Sequence, residues 1–326
     1  MLNSRVAAWL IFGLHFAIFL AINQLLNPHP DMVDHWIWGQ DLRLSYYEHP
    51  PMVAVVFRIL TMLLGDSETA MEAGAQLVNL LVLAGLWAVA RRTFGPQAAL
   101  ATLLVLCGMP YFTIGSIFLH ITQPFMLSWV AALYCWIRWQ ETRNDRWLWG
   151  IGVAAGFGAL SKYIMVLFYV GMMLHFTLYR EQRREWLNWR VYAAGALSLL
   201  LFTPVLWWNA ENDWISFRWQ LGRGTSGADF GENTIFFTIG HLLLFSPVWF
   251  LAGAWTLVRL REFLKDGRTP EAAIALVSVL PIGFFTAMSL KGSIADPHWA
   301  NLTYMGMALL LGRELTSGSL QRWKGP

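Results

Sequence analysis

The sequence predicts an all-α protein that crosses a membrane many times, and three observations support this fold class. The 326 residues are 56% hydrophobic and only 13% charged, whereas soluble globular chains carry about 25% charged residues. Apolar runs alternate with short polar connections along the whole chain. Several runs reach the roughly 20 residues that a helix needs to span a bilayer. Lipid must therefore cover much of the surface, and a net charge of +3 is too small to indicate a nucleic-acid partner.

The alternation predicts about ten transmembrane helices in a single domain covering residues 1–326, with no soluble C-terminal domain. The first apolar run lacks a small-residue cleavage site, so we interpret it as a retained helix. Span boundaries predicted in this way are accurate to a few residues. The predicted spans are 6–26, 69–90, 97–112, 118–137, 147–162, 164–179, 191–208, 235–258, 271–290 and 299–312.

The distribution of positive charge predicts the orientation. Of the 23 Lys and Arg residues, 17 fall on one side of the predicted spans, and the other side has only six: Arg43, Arg58, Lys162, Arg218, Arg223 and Lys291. Positive charge resists translocation, so the richer side is predicted to be cytoplasmic. Both termini then lie inside the cell, and two long loops, residues 27–68 and 209–234, lie outside.

The first external loop is predicted to contain two helices at the membrane surface. Residues 31–47 place Trp36 and Trp38 among polar residues, as an amphipathic interfacial segment does. Residues 52–64 are apolar but too few for a full span, which favours an interfacial or re-entrant helix.

Candidate catalytic side chains collect on this external side. Carboxylates are suited to deprotonate an acceptor hydroxyl, and the candidates are Asp31, Asp34 and Glu48. Cations and hydroxyls are suited to hold a phosphate leaving group and the substrate, and these candidates are His49, Lys162, Tyr163, Arg218, Arg223, Lys291 and His298. Acids and cations on one membrane face are what transfer from a lipid phosphate requires.

Several of these residues also have a purely structural interpretation. Asp31 is placed to cap the interfacial helix, and Lys162 is placed to extend its ammonium group toward the interface from a helix end. Arg218 and Arg223 are suited to contact anionic lipid head groups. His120 lies inside the predicted span 118–137, where a polar residue indicates either a functional site or hydrogen bonding between helices.

The external motifs resemble those of one known family. The stretches Asp31–Trp38 and Tyr46–Pro51 are similar to the first external loop of the membrane glycosyltransferases of the protein O-mannosyltransferase and lipid A aminoarabinose transferase superfamily. Ser161–Tyr163, Trp208–Phe217 and His298–Trp299 resemble the bacterial members in the same order. The similarity runs through nearly the whole chain.

This resemblance implies the GT-C fold, which is a bundle of transmembrane helices with interfacial helices in the first periplasmic loop. It also implies an enzyme of the bacterial inner membrane that transfers a sugar, with inversion, from a polyprenyl-phosphate-linked donor. The implied donor is undecaprenyl phosphate carrying one sugar. The acceptor would be lipid A, another envelope glycan or a protein, reached on the periplasmic face among membrane lipids. The general base of the family corresponds to Asp31.

The sequence departs from the family pattern at two positions. Met32 stands where the family has Glu, so either Asp34 takes the partner role or Asp31 acts with Glu48. His49 stands where some relatives have Lys. The missing acid leaves open an alternative function as a non-catalytic or lipid-flipping assembly protein of the same fold. No stretch forms a recognisable metal motif, so no cofactor is predicted, although some members of this fold class use a divalent cation.

Overall fold

The computed structural model describes residues 3–225, 230–293 and 295–317, and these residues form helices and connections without any β-strand. The α-helices are, in order, α1 Ser4–Asn23, α2 Pro30–Gln40, α3 Met52–Leu64, α4 Glu68–Phe94, α5 Pro96–Cys107, α6 Pro110–Thr113, α7 Thr122–Thr142, α8 Arg146–Ala159, α9 Val166–Leu178, α10 Trp189–Glu211, α11 Ile215–Thr225, α12 Phe230–Phe245, α13 Pro247–Val258, α14 Leu260–Phe263, α15 Pro270–Leu290 and α16 Asn301–Thr316. Short 3₁₀ helices cover Ile114–Ser116, Tyr163–Met165, Arg180–Leu187 and Pro297–Ala300.

The helical architecture confirms the predicted fold class of a multi-pass membrane protein. In the described ranges, α1, α4, α10 and α15 are long and apolar enough to cross a membrane. Two bent pairs of helices raise this number to six if each pair forms one span. One pair joins Tyr163–Leu178 to Arg180–Leu187 at 120°, and the other joins α12 to α13. The total of about ten spans stays a prediction.

The predicted span 235–258 is wrong as a single straight helix. It is divided between α12 and α13, which meet at a bend of 108° around Ser246. Pro247 explains the break, because proline lacks the N–H that a continuing helix needs and its ring collides with the preceding turn. Ser246 adopts a φ of 63°, and its hydroxyl accepts a hydrogen bond from the Trp249 backbone N–H at the start of α13.

Two other predicted spans differ from the observed helices at their ends. The span 97–112 is interrupted after Cys107, and Pro110 begins the short α6. The span 118–137 is shifted, because α7 begins at Thr122 and continues to Thr142. Residues 117–121 are therefore outside any helix, and His120 belongs to the connection before α7.

The bundle is held together by a large apolar core to which most of the long helices contribute. Trp129 and Trp136 of α7 and Phe168 of α9 are among its largest buried side chains. Helix α7 packs on α8, which packs on α10, while α5 packs on α16. Gly152 permits the close approach of α8 to α10, since a Cβ atom there would lie 2.6 Å from the Ala194 carbonyl oxygen.

The first loop is fixed to the bundle by a smaller apolar cluster. Met32 of α2, together with Val53 and Phe57 of α3, packs against Leu119 and other residues of the bundle. The predicted helix at 52–64 is confirmed by α3, whereas only the first part of the predicted segment 31–47 is helical, as α2. This packing fixes the start of α2 beside the connection that contains His120.

Candidate active site

Asp31 lies in the first turn of α2, where its carboxylate is about half exposed (52%). The helix is capped by His29, whose Nδ1 accepts a hydrogen bond from the Asp31 backbone N–H at 3.2 Å. Pro30 follows at the first helical position, which suits its fixed φ and missing N–H. The interpretation of Asp31 as the helix cap is therefore not supported. Its carboxylate stays available for chemistry, at a helix end that favours negative charge.

Four histidines collect next to this carboxylate, and we call His35, His49, His120 and His298 the histidine cluster. The ring centre of His120 lies 5.2 Å from that of His35, 6.5 Å from that of His49 and 6.4 Å from that of His298. His120 Nε2 is 3.7 Å from Asp31 Oδ2. The cluster thus joins α2, the rest of the first loop, the connection before α7 and the 3₁₀ helix before α16.

Lys162 reaches the same place from the end of α8. Its Nζ donates a hydrogen bond to Thr122 Oγ1 at 3.0 Å, and that oxygen is 3.1 Å from His120 Nδ1. The backbone of this region is also tied to the first loop, because the Met52 N–H donates to the Leu160 carbonyl oxygen at 3.0 Å. Of the predicted site residues, the structure thus brings together Asp31, His49, Lys162 and His298.

Burial keeps two of the histidines neutral near pH 7. It lowers the pKa of His35 to about 4, against the opposing effect of a hydrogen bond with the Leu119 backbone. Burial also lowers the pKa of His120 well below 6.5, and the positive charge of Lys162 lowers it further. A neutral imidazole has one donor and one acceptor nitrogen. The site thus combines a carboxylate, an ammonium group and uncharged N–H donors.

Tyr163 and Glu48 border the site through contacts with α11. The hydroxyl groups of Tyr163 and Ser216 lie 2.6 Å apart. Gln220, one turn later in α11, donates to the Glu48 carbonyl oxygen at 2.7 Å. A sharp turn at Asp213 and Trp214, which have φ values of 54° and 58°, directs α11 back toward the first loop.

Other predicted site residues are placed elsewhere. Arg218 is exposed and lies on the side of α11 opposite Ser216 and Gln220. The structure therefore does not support the expectation that Arg218 joins Lys162 at a phosphate. Lys291 is exposed at the end of α15, and Asp34 is exposed one turn beyond Asp31. The side chain of Arg223 lies outside the described part.

His120 and Thr122 are the residues that the sequence did not single out as members of the site. The available signal was a His-x-Thr-Gln stretch interrupting an apolar run. Polar residues in such a run equally indicate hydrogen bonds between helices. In the described ranges, no group of three or more His, Cys, Asp or Glu side chains is arranged to hold a metal ion.

An apolar groove of about 560 Å³ is lined by Tyr163, the residue that follows Lys162 in the sequence. Tyr163 and Phe217 line the end near the site, and the groove continues between α9 and α10 toward Trp186. Its walls include Met172 and Leu199. The groove is therefore suited to an extended hydrocarbon chain whose polar end lies near Lys162.

Because His35 is buried, we predict that the first loop loses stability as the pH falls. Its side chain is 3% exposed, and its pKa lies at about 4 in the folded protein, against 6.5 for an exposed histidine. Unfolding then takes up a proton as the pH falls from 6.5 to 4, which removes about 3 kcal/mol of stability from the structure around α2. We expect amide hydrogen exchange in α2, corrected for its intrinsic pH dependence, to show this loss of protection.

The variant His35→Gln provides the control, because it keeps a hydrogen-bonding side chain but does not titrate. We expect the pH-dependent loss of protection in α2 to be smaller in His35→Gln by about 3 kcal/mol. Other groups such as His120 account for the pH dependence that remains. An unchanged pH dependence in His35→Gln would show that His35 is not the source.

Comparison with known proteins finds similarity over much of the chain. The family model described as dolichyl-phosphate-mannose-protein mannosyltransferase matches residues 48–208. Among curated proteins, the chain is 24% identical over 296 residues to the lipid A galacturonosyltransferase RgtD of Rhizobium johnstonii. This alignment covers 86% of the present chain and 59% of RgtD.

Solved structures show the same fold. ArnT from Cupriavidus metallidurans bound to undecaprenyl phosphate matches 98% of the chain with a TM-score of 0.76 and 17% identity, over 62% of its own length. The oligosaccharyltransferase AglB from Archaeoglobus fulgidus, in complex with an inhibitory peptide and a dolichol-phosphate, matches with a TM-score of 0.62 and 11% identity, over 51% of its length. The chain spans about three fifths of the length of RgtD and ArnT. The chain is thus similar to the protein mannosyltransferase family over residues 48–208, and it has the GT-C fold of ArnT.

Proposed function

We propose that the protein is an inverting glycosyltransferase that moves a sugar from a polyprenyl-phosphate-linked donor to an acceptor hydroxyl, with Asp31 as the general base. The observation that carries this proposal is the meeting of Asp31, Lys162 and the histidine cluster in one place. An apolar groove lined by Tyr163, the residue that follows Lys162, supports it. The reaction needs a base to deprotonate the acceptor hydroxyl and hydrogen-bond donors to hold the phosphate. It also needs an apolar channel for the lipid chain.

The reaction proceeds as a single displacement. The acceptor hydroxyl gives its proton to the Asp31 carboxylate while its oxygen forms a bond to the anomeric carbon. The bond between that carbon and the phosphate oxygen breaks, and its electron pair leaves with the polyprenyl phosphate. Because attack comes from the face opposite the leaving group, the anomeric configuration inverts.

Lys162 is the main candidate for stabilising the departing phosphate. Its ammonium group is 3.0 Å from Thr122 Oγ1 and is held by a side chain that is only partly exposed. A charge-assisted contact in such a setting is stronger than one in open water. His49 and His298 are further donors in the same cluster, and the phosphate would bind on the side of the cluster that faces the groove.

The donor and acceptor to be tested first follow from the relatives. RgtD is named for transfer of galacturonic acid to lipid A, and ArnT was solved with undecaprenyl phosphate. We therefore propose undecaprenyl phosphate–galacturonic acid as donor and lipid A as acceptor. The test supplies purified protein in lipid nanodiscs with these substrates, and with donors carrying other sugars, and follows the products by mass spectrometry. Absence of any transfer, from all donors tested, would contradict the proposed function.

The groove makes a separate prediction about the lipid part of the donor. Leu199→Trp places a larger side chain into the groove, whereas its neighbour Leu200 is equally exposed but does not line it. Overpacking a filled apolar site typically costs about 1–3 kcal/mol, so we expect the KM for a long-chain donor to rise about tenfold.

Leu200→Trp is the matched control, and we expect its KM to change less than threefold. A donor with a single short isoprenoid would not reach the substituted position, so its KM should be the same in both variants. Equal effects of the two variants on the long-chain donor would mean that the chain does not occupy this groove.

We further propose that the site faces the periplasm of a bacterial inner membrane. The excess of Lys and Arg on the opposite side of the predicted spans supports this orientation. Leu44 is exposed in the first loop and Asn144 is exposed between α7 and α8. In a variant without Cys107 and Cys135, a cysteine at Leu44 should react with an impermeant reagent outside spheroplasts, and one at Asn144 should not. The opposite result would invert the topology.

The alternative function as an assembly or lipid-flipping protein was suggested by the absence of an acid at Met32. The Met32 side chain packs with Val53 and Phe57 and is 1% exposed. A carboxylate in that apolar position would be costly to ionise. Position 32 thus packs the first loop onto the bundle in this chain, and we propose that Asp31 acts as the base without an acid there.

A further inference from the structure

A chain of polar contacts behind Asp31 connects the two ends of the proposed reaction centre. Two of these contacts are hydrogen bonds, and the third is a 3.7 Å approach of His120 to the carboxylate. His120 lies between the two ends, with Nε2 3.7 Å from Asp31 Oδ2 and Nδ1 3.1 Å from Thr122 Oγ1. Thr122 in turn accepts a hydrogen bond from Lys162 Nζ at 3.0 Å. The carboxylate that would take up the acceptor proton and the ammonium group that would face the phosphate are thus linked through two intermediate side chains.

The chemistry of the groups fixes the direction of the hydrogen bond between Lys162 and Thr122, and the tautomer of His120 determines the direction of the next one. An ammonium group only donates, so Lys162 uses a lone pair of the Thr122 oxygen. Tyr111 also hydrogen-bonds to Thr122, while the Tyr111 oxygen accepts from Asn301. When the Thr122 hydroxyl points its hydrogen at His120 Nδ1, that nitrogen is the acceptor of the contact. A neutral imidazole that accepts at Nδ1 carries its proton at Nε2, which is the atom facing Asp31.

We propose that His120 is a positioning residue that holds the Asp31 carboxylate through its Nε2–H and is itself fixed in this tautomer by Thr122. The inference rests on the proposed function, because it gives Asp31 the role of general base. The N–H group would restrict the carboxylate to the orientation in which its other oxygen faces the acceptor. Small displacements of a catalytic group are costly, and about 1 Å can reduce the rate about a hundredfold.

The surroundings of His120 favour the neutral form that this role requires. Burial lowers its pKa most, and Lys162, His35, His298 and His49 lower it further, while Asp31 is the acid that faces it. An imidazolium ion beside Asp31 would stabilise the ionised carboxylate and weaken it as a base. A neutral donor orients the carboxylate with a smaller loss of basicity.

Two pairs of variants test the role in kinetics. Gln can place an amide N–H near the position of Nε2, whereas Leu cannot, so we expect His120→Leu to lower kcat by about tenfold to a hundredfold. His120→Gln should recover most of this loss. Thr122→Val should lower kcat by about tenfold, and Thr122→Ser, which keeps the hydroxyl, should recover it. The KM for the acceptor should change little in all four variants.

A double-mutant cycle distinguishes action through Asp31 from a general structural effect. In an Asp31→Asn background, His120→Leu should have almost no further effect on the residual rate, because the group that it positions is already absent. An equal fold-loss in both backgrounds would overturn the inference. So would a wild-type kcat in His120→Leu.

A measurement that does not depend on activity keeps this inference separate from the proposed function. ¹⁵N NMR of histidine-labelled protein in detergent, with the His120 signals assigned by their loss in His120→Gln, should show Nε2 protonated and Nδ1 as acceptor. In Thr122→Val the acceptor signal should shift toward that of a free imidazole. A proton on Nδ1 of the wild type would overturn the inference. Absence of sugar transfer in the wild type would overturn only the proposed function if the NMR result holds.

Discussion

Replacing Asp31 by Asn is expected to reduce the turnover of sugar transfer by roughly 10²–10⁴-fold, the usual contribution of a general base. The change keeps the size of the side chain and removes its ability to take up a proton. It leaves the start of α2 intact, because the helix is capped by His29 and not by Asp31. The measurement is kcat at saturating donor and acceptor, together with expression and thermal stability in detergent, which should remain close to wild type.

Asp34→Asn is the matched control for this prediction. Asp34 is also exposed on α2, one turn further along, and the close contacts with His29 and His120 belong to Asp31. We expect Asp34→Asn to cost much less than Asp31→Asn. If Asp31→Asn were active and Asp34→Asn inactive, the base would be Asp34. If both were active, this loop would have no acid–base role, and the assembly or lipid-flipping function would be favoured.

Much of the fold was predictable because membrane-spanning helices have a simple physical requirement. A long apolar run without charges must satisfy its own backbone hydrogen bonds in lipid, which only a helix achieves within one segment. The prediction for 271–290 accordingly agrees with α15, Pro270–Leu290. The apolar run 235–258 met the same requirement, but Pro247 and the positive φ of Ser246 divide it. Average hydropathy does not detect a single residue that stops a helix.

The candidate site was only partly predictable. Asp31 and His49 share one loop, so their proximity follows from the sequence, whereas Lys162 and His298 reach them only through the packing of distant helices. Arg218 belongs to the right external segment, but the turn before α11 directs it away from Ser216 and Gln220. A difference of two residues in a helix reverses the face on which a side chain lies.

His120 shows why the central residue of the site was not identified. Its sequence context resembles that of a polar residue buried between helices, and the predicted span 118–137 included it. In the structure α7 begins two residues later, which places His120 in a connection that meets α2. The assignment of His120 to the core or to the site therefore depended on where α7 begins.

Replacing Lys162 by Met is expected to weaken binding of the polyprenyl-phosphate donor by about tenfold to a hundredfold. A hydrogen bond to a charged group is worth about 1.5–3 kcal/mol, and Met keeps the length and apolar character of the side chain. In the proposed mechanism the ammonium group contacts the phosphate in both the bound donor and the departing product, so affinity for undecaprenyl phosphate should fall as well. The measurement is the Kd for undecaprenyl phosphate in nanodiscs, together with the KM for the donor.

Arg218→Met and Lys162→Arg separate the position of the charge from its presence. Arg218 is exposed on the opposite side of α11, so its replacement removes the same net charge and should change the Kd less than threefold. Lys162→Arg keeps a cation at the groove and should recover part of the affinity, although its planar head group does not reproduce the contact of Nζ with Thr122. Equal losses in Lys162→Met and Arg218→Met would point to a general attraction between the protein and anionic lipid. The phosphate would then bind elsewhere than at the end of the groove.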